Sequence, residues 1–176
     1  MSLAFNLSIK GTIMSLYSKR SLALLGGALI AGCVALNSAS AQAPGPTPAK
    51  IAVENRKAEF VLIGNFFRWF GGVARGNAPY DEAEAKKRSE RIAYIAGLLD
   101  ESFPDVSNVG EPDSKAKAEI WKEKAEFDKK LAKFKEDAHV FAEAIGKEKG
   151  ATEAFKTAVA NLGQDCKGCH DSYKAK

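Results

Sequence analysis

The chain has 176 residues, of which 45% are hydrophobic and 27% charged, with a formal net charge of +4. That length fits one domain and that hydrophobic share is enough to bury a core, which excludes a disordered chain. The charge is unevenly spread: residues 1–41 hold Lys10, Lys19 and Arg20 and no Asp or Glu, and without them 23 Lys and Arg face 22 Asp and Glu. The remainder is nearly neutral, so the basic excess gives no argument for a nucleic-acid partner, whose recognition needs a clustered basic surface.

Residues 1–41 read as an export signal. Lys19 and Arg20 precede an apolar run from Leu22 to Leu36, and Ala39-Ser40-Ala41 has the small-residue pattern cut by signal peptidase. The run is shorter than the roughly 20 apolar residues that span a bilayer. Met14 alone already begins a complete signal. The expected outcome is release into the periplasm after Ala41. The alternative is a lipoprotein anchored through Cys33, because Ile30-Ala31-Gly32-Cys33 resembles a lipobox.

Residues 42–50 (QAPGPTPAK) form a Pro-rich leader, and residues 51–176 carry four helical stretches. The first runs from about Ile51 to Ala74, stopping near Gly71, Gly72 and Gly76. The second opens at Asp81, with Glu84 three residues on as an N-cap signature, and continues to about Leu99. The segment 103–112 (FPDVSNVGEP) is turn-rich and reads as a long connection. The third helix is expected from Asp113 or Ser114 to Gly146, and the fourth from about Ala151 to the end. No strand alternation of useful length is found.

Helical periodicity is clearest in the last two stretches. Ile120, Phe127, Leu131, Phe134, Ala138, Phe141 and Ile145 form one stripe, and Phe155, Val159, Leu162, Cys166, Cys169 and Tyr173 form another. The cysteines thus continue a core stripe. Amphipathic helices without a sheet predict an all-α four-helix bundle, and whatever the cysteines hold lies inside it.

Cys166-Lys167-Gly168-Cys169-His170 matches C-x-x-C-H, the attachment site of a c-type haem. On a helix the cysteines sit at i and i+3 on one face, where both thiols reach the vinyl groups of one porphyrin, and His170 at i+4 projects from the same face towards the iron. Other readings of the cluster fit less well. A thioredoxin-like redox pair belongs near a βαβ pattern, which is not found here. A structural zinc needs four ligands, and beyond this cluster the chain offers only His139 and carboxylates. A plain disulfide leaves His170 without a role.

A C-terminal CKGCHDSY on the last of four helices, with GNAPYD between the first two and AEIW opening the third, resembles the class II cytochromes c, and among them cytochrome c′. The resemblance covers about Ala52 to Tyr173. It implies a periplasmic four-helix bundle, a homodimer joined through its first two helices, thioether bonds at Cys166 and Cys169, and His170 as proximal iron ligand. The segment ENRKAEFVLIGNFF resembles the family's first helix, in which an apolar residue four after an arginine packs over the open haem face. By that match Phe60 is the distal residue and Arg56 its neighbour near the haem edge. The family commonly has arginine where this chain has Lys174, which lacks the planar guanidinium fork.

The sixth coordination position separates two branches of that family. The only methionines are Met1 and Met14, both in the signal, and His139 sits off the stripe of Ala138 and Phe141. A five-coordinate iron follows. The expected function is single-electron transfer with redox partner proteins and binding of small diatomic gases such as nitric oxide. A six-coordinate electron shuttle and a haem enzyme with peroxidase-like activity are the alternatives, and the latter lacks a distal histidine to move protons. On the first helix Leu62, Phe66, Trp69 and Val73 form a second apolar stripe, about 120° from the first, read as a partner surface.

Overall fold

The computed structural model describes residues 45–108 and 110–176. The expected export signal, with Met14 and Cys33, and residues 42–44 of the leader lie outside the described residues.

Helix α1, Pro48–Ala74, begins three residues before the expected start. Thr47 has extended backbone and its hydroxyl accepts from Lys50 N at 3.1 Å, while Pro48 occupies the first turn, where its missing N–H costs nothing. The proline read as part of the leader is therefore the start of the helix. Gly71 and Gly72 do not end it. The stop is at Gly76, with φ of 75°, where the chain turns back so that Asn77 N donates to Gly72 O at 2.8 Å.

Helix α2, Glu82–Leu98, is capped by the carboxylate of Asp81, which accepts from Glu84 N at 2.7 Å, and runs into a 3₁₀ turn at Leu99–Glu101. A second 3₁₀ turn follows at Asp105–Asn108.

The third expected helix is corrected. Regular helix begins only at the single turn α3, Glu119–Lys122, and after a break at Glu123 (φ −112°, ψ 39°) continues as α4, Lys124–Ile145. At the expected start, the Ser114 hydroxyl accepts from Arg56 Nη2 at 2.7 Å and from Ala116 N at 3.2 Å. Residues 115–117 instead pair with the chain's last residues: Lys117 N donates to Tyr173 O at 3.0 Å and Ala175 N to Lys115 O at 2.8 Å. The isolated bridge Ala116–Lys174 belongs to this pairing, and no strand is present among the described residues.

Helix α5, Glu153–Tyr173, is capped by Thr152, whose hydroxyl accepts from Phe155 N at 3.1 Å, and ends before Lys174, which is extended.

Helices α1, α2, α4 and α5 form the four-helix bundle. The main packing runs α1 on α2, α2 on α4 and α4 on α5, while α1 and α5 touch less. The α4 stripe from Phe127 to Ile145 is buried throughout, as are Phe155, Val159, Leu162 and Tyr173 of α5. Each such apolar side chain contributes about 1.5–3 kcal/mol on burial. Phe70 is the central aromatic, edge-on to Phe141 at 4.9 Å and to Trp69 at 5.1 Å. Among the described residues no helix is long and apolar enough to cross a membrane.

The second stripe of α1 divides. Val73, 2% exposed, belongs to the core, which corrects its assignment to a partner surface. Leu62 is 45% exposed, whereas Phe66 and Trp69 are half-buried beneath the guanidinium groups of Arg91 and Arg88 from α2, at 5.4 and 5.7 Å. Long arginine stems cover apolar surface while keeping their charge in water.

Candidate functional site

The core stripe of α5 changes character after Leu162. Up to that residue its members are buried; Cys166 and Cys169 are half-buried, His170 is exposed, and Tyr173 is buried again. Opposite them on α1, Phe60 and Phe67 are half-buried between the buried Arg56, Ile63 and Phe70. The chemistry-bearing residues therefore lie on a half-exposed stretch shared by α1 and α5. At Gly163 a Cβ would be in ordinary van der Waals contact with the Phe67 ring of α1 at 3.7 Å.

Cys166 and Cys169 are free thiols. Burial, followed by the charge of Asp165, pushes Cys166 up to about 11, and burial raises Cys169 as well. Redox-active pairs need the opposite, a thiolate stabilised at neutral pH. The thiols here stay neutral, which argues against a dithiol oxidoreductase and leaves them as S–H groups on one helical face.

His170 lies edge-on to Phe60, the ring centroids 6.5 Å apart at 66°. Desolvation and then the positive charge of Lys174 lower its pKa, only partly opposed by Asp171. The imidazole is therefore neutral at pH 7 and can present a lone pair to a metal. Lys174 N donates to His170 O at 3.1 Å, so the residue that differs from the family pattern touches the histidine through backbone and through charge. His139 is exposed on α4.

Phe60 meets His170, whereas Arg56, one turn earlier on α1, turns to the connection between α2 and α3, and the structure adds residues of that connection. Arg56 is 4% exposed, and its guanidinium donates to Ser107 Oγ at 2.9 Å, Ser114 Oγ at 2.7 Å and Ser102 O at 3.4 Å. It stacks over Phe103 at 5.3 Å and Trp121 at 5.8 Å. Phe103 in turn lies 6.3 Å from Phe60 and edge-on to Phe127 at 4.8 Å. The signal available for it was an aromatic residue inside a turn-rich segment, since such a side chain must find cover.

These residues fit a c-type haem. Two neutral thiols at i and i+3, a neutral imidazole one residue further, and an apolar face opposite supply the donor set and the apolar wall that the group requires.

A four-helix bundle whose last helix carries C-x-x-C-H defines a cytochrome of class II type. The sequence model of the family described as Cytochrome C′ matches residues 51–174, and the chain belongs to that family. It is 32% identical over 130 residues to cytochrome c′ of Rubrivivax gelatinosus, covering 71% of this chain and 95% of that one. The structure of cytochrome c prime from Shewanella frigidimarina superposes with a TM-score of 0.68 at 34% identity, covering 75% of this chain and all of the other. A nitric oxide complex of a variant of cytochrome c prime from Alcaligenes xylosoxidans aligns with a TM-score of 0.65 at 27% identity, covering 73% of this chain and 97% of that one. As a family member the protein binds covalently attached haem c, one per chain.

Proposed function

We propose that Cys166 and Cys169 carry the haem through thioether bonds, that His170 is its only protein ligand, and that the protein exchanges single electrons and binds small diatomic gases such as nitric oxide on the face covered by Phe60. When bound, the haem supplies a one-electron redox centre with an open coordination position. The observation that carries this reading is the edge-on pairing of a neutral His170 on α5 with an apolar Phe60 on α1. No methionine occurs after Met14, and the other histidine, His139, is exposed on α4, so a strong donor opposite His170 has no source in residues 42–176. A gas then competes with no protein ligand. The nitric oxide complex of the Alcaligenes xylosoxidans relative supports the same ligand class.

An enzymatic reading of peroxidase type finds less support. Peroxide cleavage needs a group that shuttles a proton over the open face. Glu59 precedes Phe60, but it accepts the hydrogen bond of the Ser102 hydroxyl, on the loop side of the helix.

The composition of residues 1–41 supports export to the periplasm, with anchoring through Cys33 as the alternative product of processing. A homodimer joined through α1 and α2 is the proposed assembly, on the grounds that Leu62, Tyr94 and Leu98 are 45%, 71% and 45% exposed on those helices. The test of the central reading is absorption spectroscopy with carbon monoxide and nitric oxide. A high-spin iron that binds both without displacing a ligand is the expected result, and a low-spin, ligand-inert iron would refute it.

A further inference from the structure

Arg56 is a buried cation with no carboxylate within ion-pairing distance among the described residues, and burying a guanidinium is costly unless its donors are used. All three of its acceptors, Ser102 O, Ser107 Oγ and Ser114 Oγ, come from the connection between α2 and α3, a stretch whose own regular structure is two short 3₁₀ turns. The aromatic rings that its planar face covers, Phe103 and Trp121, come from that connection and from α3. The same loop is tied down further by Trp121 Nε1 donating to Pro104 O at 3.3 Å and by Ser107 Oγ donating to Pro104 O at 2.7 Å. One side chain of α1 thus gathers a loop that packs little of its own core.

That loop carries Phe103 to within 6.3 Å of Phe60, on the side of α1 where Phe60 looks at His170. Aromatic pairs at such separations form a continuous apolar wall. We propose that Phe103 is the second wall of the gas-binding face, beside Phe60, and that Arg56 is a positioning residue which sets the aperture by holding the Phe103 loop. The inference rests on the reading that gases bind on the Phe60 side.

A fork of five donors is what this role demands, since three oxygen atoms and two ring faces are engaged at once; lysine, a point charge, reaches one or two of them. Loosening the loop widens the passage beside Phe60 without touching Phe60 itself.

The test uses the haem-loaded protein, carbon monoxide association kinetics and amide hydrogen exchange over residues 102–108. Phe103→Ala is expected to speed carbon monoxide association about fivefold. Arg56→Gln is expected to match it, to raise exchange at the Ser102 and Ser107 amides, and to add nothing in the double variant, because both changes open the same wall. Arg56→Lys should resemble Arg56→Gln. Should Arg56→Gln fail to fold, Ser107→Ala with Ser114→Ala removes the acceptors instead, and faster exchange with faster association is again expected. Faster association in Phe60→Ala with no change in Phe103→Ala overturns this inference alone. Full additivity of Arg56→Gln and Phe103→Ala overturns it too, and makes Arg56 an independent haem-edge group. No change in either Phe60→Ala or Phe103→Ala overturns the inference together with the assignment of the gas face.

Discussion

Phe60 of α1 and His170 of α5 meet edge-on with ring centroids 6.5 Å apart, a phenyl ring against a neutral imidazole. With the haem held at Cys166 and Cys169 as proposed, this pair would make its two faces unlike. One side offers a nitrogen lone pair, the other only carbon.

Removing the phenyl ring should open the second side. Phe60→Ala is expected to accelerate carbon monoxide association by about tenfold, equivalent to ~1.4 kcal/mol of barrier. Phe60 is only half-buried, so the loss of stability should fall below the roughly 3–5 kcal/mol of a fully buried Phe→Ala change. Stopped-flow or flash-photolysis kinetics give the rate, and an unchanged rate would return Phe60 to ordinary packing.

The iron should be five-coordinate in both oxidation states. His139, exposed on α4, is the remaining imidazole, and His139→Ala should leave the absorption and resonance Raman spectra unaltered. Conversion of a low-spin spectrum to a high-spin one in that variant would identify His139 as a ligand.

The bundle and the haem motif were legible in the sequence because both rest on helical spacing. The stripes of α4 and α5 are the ones that the structure buries, and Cys166 and Cys169 continue the α5 stripe. What was not legible depends on tertiary competition. The third helix was expected to start at Asp113 or Ser114, but the Ser114 hydroxyl is claimed by Arg56, and residues 115–117 pair with the C-terminus, so α3 starts later. Val73 looked like part of an outward stripe and is core, because the apolar arc of α1 faces both α2 and the interior. Phe103 escaped notice because its position is fixed by partners distant in sequence, Arg56 and Phe127, and a turn-rich segment carries no periodicity from which to infer them.

The proposed dimer can be tested away from the haem. Tyr94 is 71% exposed on α2, so Tyr94→Glu adds a charge to the surface without touching the core, and Trp69→Glu adds one beneath Arg88. Both variants should sediment as haem-loaded monomers. A monomeric parent protein at micromolar concentration would contradict the dimer, and loss of haem in Trp69→Glu would show that its packing on Phe70 matters more than the surface.

Beside the cysteines, Asp165 faces Asp137 and Lys133 across α4 and α5. Burial and then Asp137 raise the pKa of Asp165, whereas Lys133 lowers that of Asp137. A carboxyl with a raised folded-state pKa opposes folding once ionised. Asp165→Asn should therefore stabilise the protein at pH 7, and the gain should vanish as pH falls below the unfolded carboxyl's value of about 3.9. Urea unfolding of the haem-loaded protein at several pH values measures it, and destabilisation at pH 7 would mean that the attraction to Lys133 dominates.

The assignment of the attachment site is tested most directly by mass spectrometry of the denatured protein and its C-terminal peptides. The expected result is one haem that survives denaturation and acidified organic solvent, carried by the peptide containing Cys166 and Cys169, with neither thiol open to alkylation. An apo mass, or haem lost to the solvent with both thiols free, would contradict it.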